Sequence, residues 1–178
     1  MKIGIISDIH GNIIALKACI SYMKSVPCDE YFFFGDYISD TPYTRETIDY
    51  VYDFCSKHNC IFLRGNREDY MLEQRRIIAQ GVENGKWRWN SATGNLLFAY
   101  RQLNEKDFLF FEHLPISYQY SKIGYPDVTI CHGSPVSSRE RLLIEGENTK
   151  EWLKKITTDY LICAHTHLPG GLEYQGKH

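Results

Sequence analysis

The 178-residue chain has no apolar run approaching the roughly 20 residues that a membrane span requires, which excludes a transmembrane helix from expectation. It also lacks excess positive charge. A formal net charge of −2 gives no basic field for tracking a nucleic-acid backbone, while leaving room for a small phosphate ligand. No Cys-x-x-Cys pair occurs among Cys19, Cys28, Cys55, Cys60, Cys131 and Cys163, and most of these stand inside apolar stretches. They read as reduced core thiols of a cytoplasmic protein. The opening MKIGIISDIH has one lysine and an apolar run broken by Asp8 and His10, which suits a buried first strand and not a signal peptide. Internal repeats and low-complexity linkers are absent. With 43% hydrophobic and 24% charged residues, disorder is excluded, and the length fits a single domain over residues 1–178.

What is present is alternation. Short apolar runs at Ile3 to Ile6, Tyr31 to Phe34 and Cys60 to Leu63 each precede a longer stretch with helical spacing. That order predicts parallel strands joined by crossover helices. Asn12 is placed to cap the first helix, whose Leu16, Ile20 and Met23 share a face. A second helix is predicted over about Thr44 to Lys57, with Ile48, Val51, Tyr52 and Cys55 on one stripe, and a third from about Arg67 to Gln80. Residues 81–113 read as a helical insertion covering one end of the sheet. Its Trp87, Trp89, Phe98, Tyr100, Phe108, Phe110 and Phe111 suit a core better than a ligand box. Strands return at Ile116 to Tyr120, Val128 to Cys131 and Tyr160 to Cys163, with one helix near Thr149 to Ile156.

Ligands in open α/β sheets bind beyond the carboxyl ends of the strands. There stand Asp8 and His10 after the first strand, Asp36 after the second, Asn66 after the third, His132 after a later one, and His165 with His167 after the last. Singly, each has a plain structural reading, as a turn residue or a satisfied histidine. Jointly they hold four of the seven histidines at strand ends, whereas His58, His113 and His178 stand elsewhere and read as structural. Carboxylate, amide oxygen and imidazole together suit Mn²⁺, Fe²⁺ or Zn²⁺ better than Mg²⁺ or Ca²⁺. Seven such donors are too many for one tetrahedral ion and fit two divalent metal ions sharing a carboxylate, an arrangement that clamps a phosphoryl group.

The runs D-x-H at Asp8 to His10, G-D at Gly35 and Asp36, G-N at Gly65 and Asn66, H-G at His132 and Gly133, and H-T-H at His165 to His167 resemble the calcineurin-like metallophosphoesterases. The ordered blocks cover residues 3–170. The resemblance implies a four-layer αββα sandwich and hydrolysis of phosphomonoesters or diesters by a metal-bound hydroxide. It also implies that Asp8, His10 and His167 hold one ion, that Asn66, His132 and His165 hold the other, and that Asp36 bridges them. Two residues depart from the pattern. Ala164 replaces a common glycine before H-T-H, which is tolerable if its φ is negative. Arg67 stands where many members have a histidine placed to protonate the leaving oxygen.

A guanidinium stays charged and cannot act as that acid, yet it binds phosphate bidentately and stabilises developing charge. Arg67 and Asn66 are therefore the catalytic candidates. Without general-acid help worth about 10²–10⁴ in rate, aryl esters, activated diesters and phosphoanhydrides such as dinucleoside polyphosphates should be favoured over alkyl phosphates. The plainer alternative has Arg67 open a helix and pair with Glu68 or Asp69 in solvent.

Over the metal edge, the insertion would shape the pocket, with Trp87, Arg88 and Trp89 available to stack a ring. Arg139 and Arg141, soon after His132, suit either a second phosphate or a solvated loop. The resemblance implies further strands beyond His167, where the chain runs only through Gly170 to His178. One sheet would then expose a pairing edge, and a homo-oligomer, a covering segment and a truncated product all remain open. The expectation is a cytoplasmic dimetal phosphoesterase with a small-molecule phosphate substrate, no extended nucleic-acid binding and no membrane contact. A serine/threonine protein phosphatase and a catalytically weak scaffold on the same fold are the competing readings.

Overall fold

A computed structural model describes residues 1–82 and 95–178. Strands β1 (Ile3–Ile6), β2 (Glu30–Phe33) and β3 (Cys60–Phe62) form a parallel sheet in that order, with Ile5 opposite Phe32 and Phe32 opposite Ile61. The crossovers are α1 (Ile13–Ser25) and α2 (Thr44–Cys55), and α3 (Asn66–Ala79) follows β3. The Asn12 side chain accepts a hydrogen bond from the Ala15 N–H at 3.0 Å, so the expected N-cap forms. After α4 (Leu96–Tyr100) and α5 (Glu105–His113), β4 (Ser117–Tyr120) runs antiparallel to β5 (Val128–Cys131). Helix α6 (Glu147–Lys155) then leads to β6 (Tyr160–Ile162), which pairs parallel with β5.

Side chains alternate across β2 with the period of two that an extended chain imposes. Tyr31 and Phe33 join Leu16, Ile20, Ile48, Val51 and Phe54 on the helical side, while Phe32 and Phe34 meet Tyr120 and Ile130 of the second sheet. Burial on both faces explains why β2 reads as a continuous apolar run. Beyond the second sheet lies α6, whose buried Leu153 lines a cavity together with Leu161 and Cys163. Helices, parallel sheet, mixed sheet and helix form the four-layer αββα sandwich that the family resemblance implied.

The insertion sits differently from expectation. Its described part does not roof the strand ends: Leu96, Ala99, Phe108 and Phe111 enter the helix-side core, and Phe110 meets the Phe62 ring edge-on at 5.2 Å. The cause is the i, i+3 stripe of Phe108 and Phe111 on α5, which the Asn104–Asp107 capping box starts in phase with the sheet. Trp87, Arg88 and Trp89 lie outside the described residues.

Among the described residues no strand follows β6, yet its edge is not bare. The Leu161 N–H donates to the His178 carbonyl at 2.8 Å, the His178 N–H donates to Asp159 at 3.2 Å, and the His178 ring stacks on Tyr160. All six cysteines are free thiols, and Cys19 alone is exposed, against the expectation that they pack in the core. No helix among the described residues is long and apolar enough to cross a membrane.

Candidate metal centre

The loops after β1, β2, β3, β5 and β6 meet at one edge. Their backbones are locked together: the Asp8 N–H donates to Gly35 O at 3.2 Å, His10 to Asp36 O at 2.8 Å, and Ala164 to His132 O at 2.8 Å. Gly35 and Gly65 allow the approach, since a Cβ on Gly35, at φ +92°, would stand 2.3 Å from the Gly65 nitrogen. A Cβ on Gly65 would in turn stand 2.2 Å from Asp36 Oδ1. Asp8, His10, Asp36, His165 and His167 all have φ between 50° and 66°, a left-handed conformation that side chains adopt at a cost. Such positions persist where the surroundings over-determine them, as functional sites do. Ala164 is not among the residues with positive φ, so replacing glycine there is harmless.

Two ligand groups result. Asp8, His10 and His167 converge, with His167 Nε2 3.2 Å from Asp8 Oδ1 and 3.3 Å from His10 Nε2. Asp36, His132 and His165 form the second group, whose donor atoms lie within 4.8 Å of one another. Asn66 joins it, with Oδ1 3.0 Å from His132 Nε2. Asp36 spans the two: its Oδ2 lies 3.7 Å from His10 Nε2 and 3.6 Å from His132 Nε2. Its other oxygen accepts the Arg67 N–H at 2.8 Å, so only Oδ2 is left to face the groups.

The donor chemistry fits cations. His132 Nδ1 donates to the Phe34 carbonyl at 2.7 Å, so in the neutral ring Nε2 can only accept. Burial holds this histidine below its ordinary pKa and favours that neutral form. Two acceptors, Nε2 and the Asn66 oxygen, therefore face each other at 3.0 Å, a contact that a shared cation satisfies. Burial likewise pushes the Asp36 carboxyl up, against the bond from Arg67 and the charge of His10. Positive charge at Oδ2 would reverse that penalty. Burial and the neighbouring His132 lower His165, which favours the neutral imidazole that a cation would need.

The cleft beside these groups has a volume of about 300 Å³ and is also lined by Arg67, Arg141 and Thr166. Arg67 does not pair with Glu68 or Asp69 as the plainer alternative had it. Its guanidinium Nη2 donates to Asp40 Oδ2 at 3.3 Å, Asp69 pairs with Arg64 at 2.9 Å, and Glu68 is fully buried. The two later arginines separate: Arg139 pairs with Glu73 at 3.0 Å, whereas Arg141 faces the cleft. His58 stacks on Phe54 and bonds its carbonyl, and His113 bonds Leu109, so both serve structure.

Two residues at the site escaped the sequence reading. Glu68 accepts the N–H groups of Asp36, Tyr37 and Gly65, each at 2.9 Å, and so fixes the loop that carries the shared carboxylate. Its signal was a glutamate three residues after the Gly65 N-cap of α3, placed to accept the N–H of the cap. Asp40 touches both His10 and Arg67 and had no motif to announce it.

Among solved structures, the chain is similar to a hypothetical protein from Pyrococcus horikoshii OT3, at 20% identity and a TM-score of 0.72, over 91% of this chain and 68% of that one. It is also similar to a metallophosphoesterase from Sphaerobacter thermophilus, at 21% identity and a TM-score of 0.69, over 95% of this chain and 62% of that one. The chain thus spans about two thirds of the length of either, and at these identities the likeness speaks for the fold alone. The curated proteins yielded no match. Sequence matching to calcineurin-like phosphoesterases, by contrast, runs over residues 1–169 and takes in all five loops of the cleft. The chain belongs to the calcineurin-like phosphoesterase family, whose members are generally dimetal hydrolases.

Proposed function

We propose that this chain hydrolyses small-molecule phosphoesters or phosphoanhydrides with two divalent ions, Asp8, His10 and His167 holding one, and Asn66, His132 and His165 holding the other. The observation that carries the reading is Asp36 Oδ2, poised 3.7 Å and 3.6 Å from one imidazole of each group. When bound, such a pair supplies a nucleophile from water at neutral pH and neutralises phosphoryl oxygens. The chain supplies the rest. Arg67 and Arg141 present guanidinium groups to the cleft, where they bind and orient the phosphate. Each histidine lining the cleft belongs to a ligand group, which leaves none in reserve to protonate a leaving oxygen. Leaving groups that depart without a proton are therefore favoured: aryl esters, activated diesters and polyphosphates.

The test is hydrolysis of an aryl phosphomonoester, an aryl phosphodiester, a dinucleoside polyphosphate and an alkyl phosphate while Mn²⁺ is titrated in. The expected result is Mn²⁺-dependent turnover with the alkyl phosphate slowest. Asp36→Asn should lose at least the roughly 10²–10³-fold that removal of one charge-stabilising group costs. A folded protein that binds Mn²⁺ and turns over none of the four would instead support the scaffold or protein-phosphatase readings.

A further inference from the structure

We infer that Asp40 is a positioning residue whose single carboxylate oxygen ties the His10 imidazole to the Arg67 guanidinium, coupling metal binding to phosphate binding. Oδ2 of Asp40 lies 3.0 Å from His10 Nδ1 and 3.3 Å from Arg67 Nη2. Both partners face the cleft, and Asp40 belongs to neither ligand group. The carboxylate oxygen beside Nδ1 favours a proton there by its charge, without hydrogen-bond geometry between the two, and leaves Nε2 toward His167 and Asp36. The contact to Nη2 anchors one prong of the guanidinium, while the Arg67 backbone N–H is already held by Asp36. Arg67 is thereby fixed at two points.

The backbone singles the residue out as well. Ser39 and Asp40 have φ of 79° and 57°, two consecutive residues with side chains in the left-handed region. Strain of this kind persists only where the surroundings hold it. The Gly11 N–H donates to Tyr37 O, and the Thr41 N–H and hydroxyl both donate to His10 O, so the loop after β1 pins the loop that carries Asp40.

The inference rests on the proposed function for its metal arm, and the test separates the two. First, ¹⁵N shifts of His10 in chelator-stripped protein report the tautomer without any metal. Wild type should show Nδ1–H, and Asp40→Ala a shift toward Nε2–H. Second, calorimetric titration of Mn²⁺ alone should weaken one of two sites in Asp40→Ala by about 10–100-fold and leave the other unchanged. Third, inorganic phosphate binding to Mn²⁺-loaded protein should fall alike in Asp40→Ala and Arg67→Ala, with the double variant no weaker than Arg67→Ala. Asp40→Asn, which keeps the shape but cannot accept from both partners through one charged group, should lie between wild type and Asp40→Ala. An unchanged His10 tautomer, or additive losses in the double variant, overturns the inference. Wild type that binds no Mn²⁺, with the tautomer still shifting in Asp40→Ala, overturns the proposed function and leaves the Asp40 tie standing.

Discussion

The parallel sheet β1–β3 backs onto a large apolar cluster supplied by α1, α2, α3, α4 and α5, whereas the mixed sheet β4–β6 is covered on its outer side by α6. The second side is thin. A cavity of about 460 Å³ separates α6 from β6, lined by Leu142, Ile144, Leu153, Leu161 and Leu168, and Tyr118 on β4 is 44% exposed. Both halves nevertheless contribute to the same cleft. Asp8, His10, Asp36 and Asn66 come from the packed half, and His132, His165 and His167 from the thin one. The contrast shows how a thin layer can still place a candidate ligand: the His132 ring is held from across the seam by its bond to the Phe34 carbonyl, while its backbone carbonyl is held within its own half by the Ala164 N–H.

If the two halves differ in packing as described, core truncations should separate them. Phe111→Ala removes a fully buried ring from the packed half and should cost about 3–5 kcal/mol. Leu153→Ala opens a site that already borders a cavity, so fewer contacts are lost, and the cost should fall near 2 kcal/mol, the low end for this change. Urea unfolding at neutral pH measures both. Equal costs would break the contrast and show the outer cavity to be closed in solution.

The second prediction concerns the seam. Because the ligands come from both halves, bound ions would staple them together. Mn²⁺ at about 100 times its Kd should add about 2.7 kcal/mol per site, and each kcal/mol shifts Tm by roughly 2–4 °C for a chain of this size. Stripping the metal with a chelator should lower Tm correspondingly. Amide exchange near His165 and His167 should rise more than exchange in β2, where Phe32 and Phe33 stay buried with or without the ions. Uniform loosening of both halves would show that the packed half, too, depends on metal.

Much of this was legible in the sequence for an identifiable reason. Period-two alternation on β2 and helical spacing in α1 and α2 are local signals, and the five ligand loops announce themselves because strand ends leave polar residues with no partner but a ligand or solvent. The rest depended on contacts between segments distant in sequence. Nothing local says that α5 docks under Phe62 and not over the cleft, because an apolar stripe specifies burial but not the surface it meets. Asp40 was invisible for a similar reason, since its partners lie 30 and 27 positions away in opposite directions. Glu68 was readable as a cap but not as the holder of Asp36, a role set by Gly35 and Gly65 touching.

The smallest effect separates two arginines that the sequence could not tell apart. Arg139 is 55% exposed and Glu73 44% exposed, so their 3.0 Å pair crosses from the loop after β5 to α3 in full reach of solvent. Screening and side-chain entropy hold such a pair to about 0.2–1 kcal/mol. Arg139→Ala should therefore lower stability by no more than that, leave KM for an aryl phosphate unchanged, and matter even less at high salt. Arg141, two residues on, lines the cleft, and Arg141→Ala should raise KM by at least about tenfold, since a bond to a charged group is worth about 1.5–3 kcal/mol and 1.4 kcal/mol is a factor of ten. The split lies in what each side chain meets, Glu73 of α3 for Arg139 and the cleft for Arg141. A KM change in Arg139→Ala equal to that in Arg141→Ala would mean that substrate reaches past the cleft onto α3, and the boundary between site and surface would have to be moved outward.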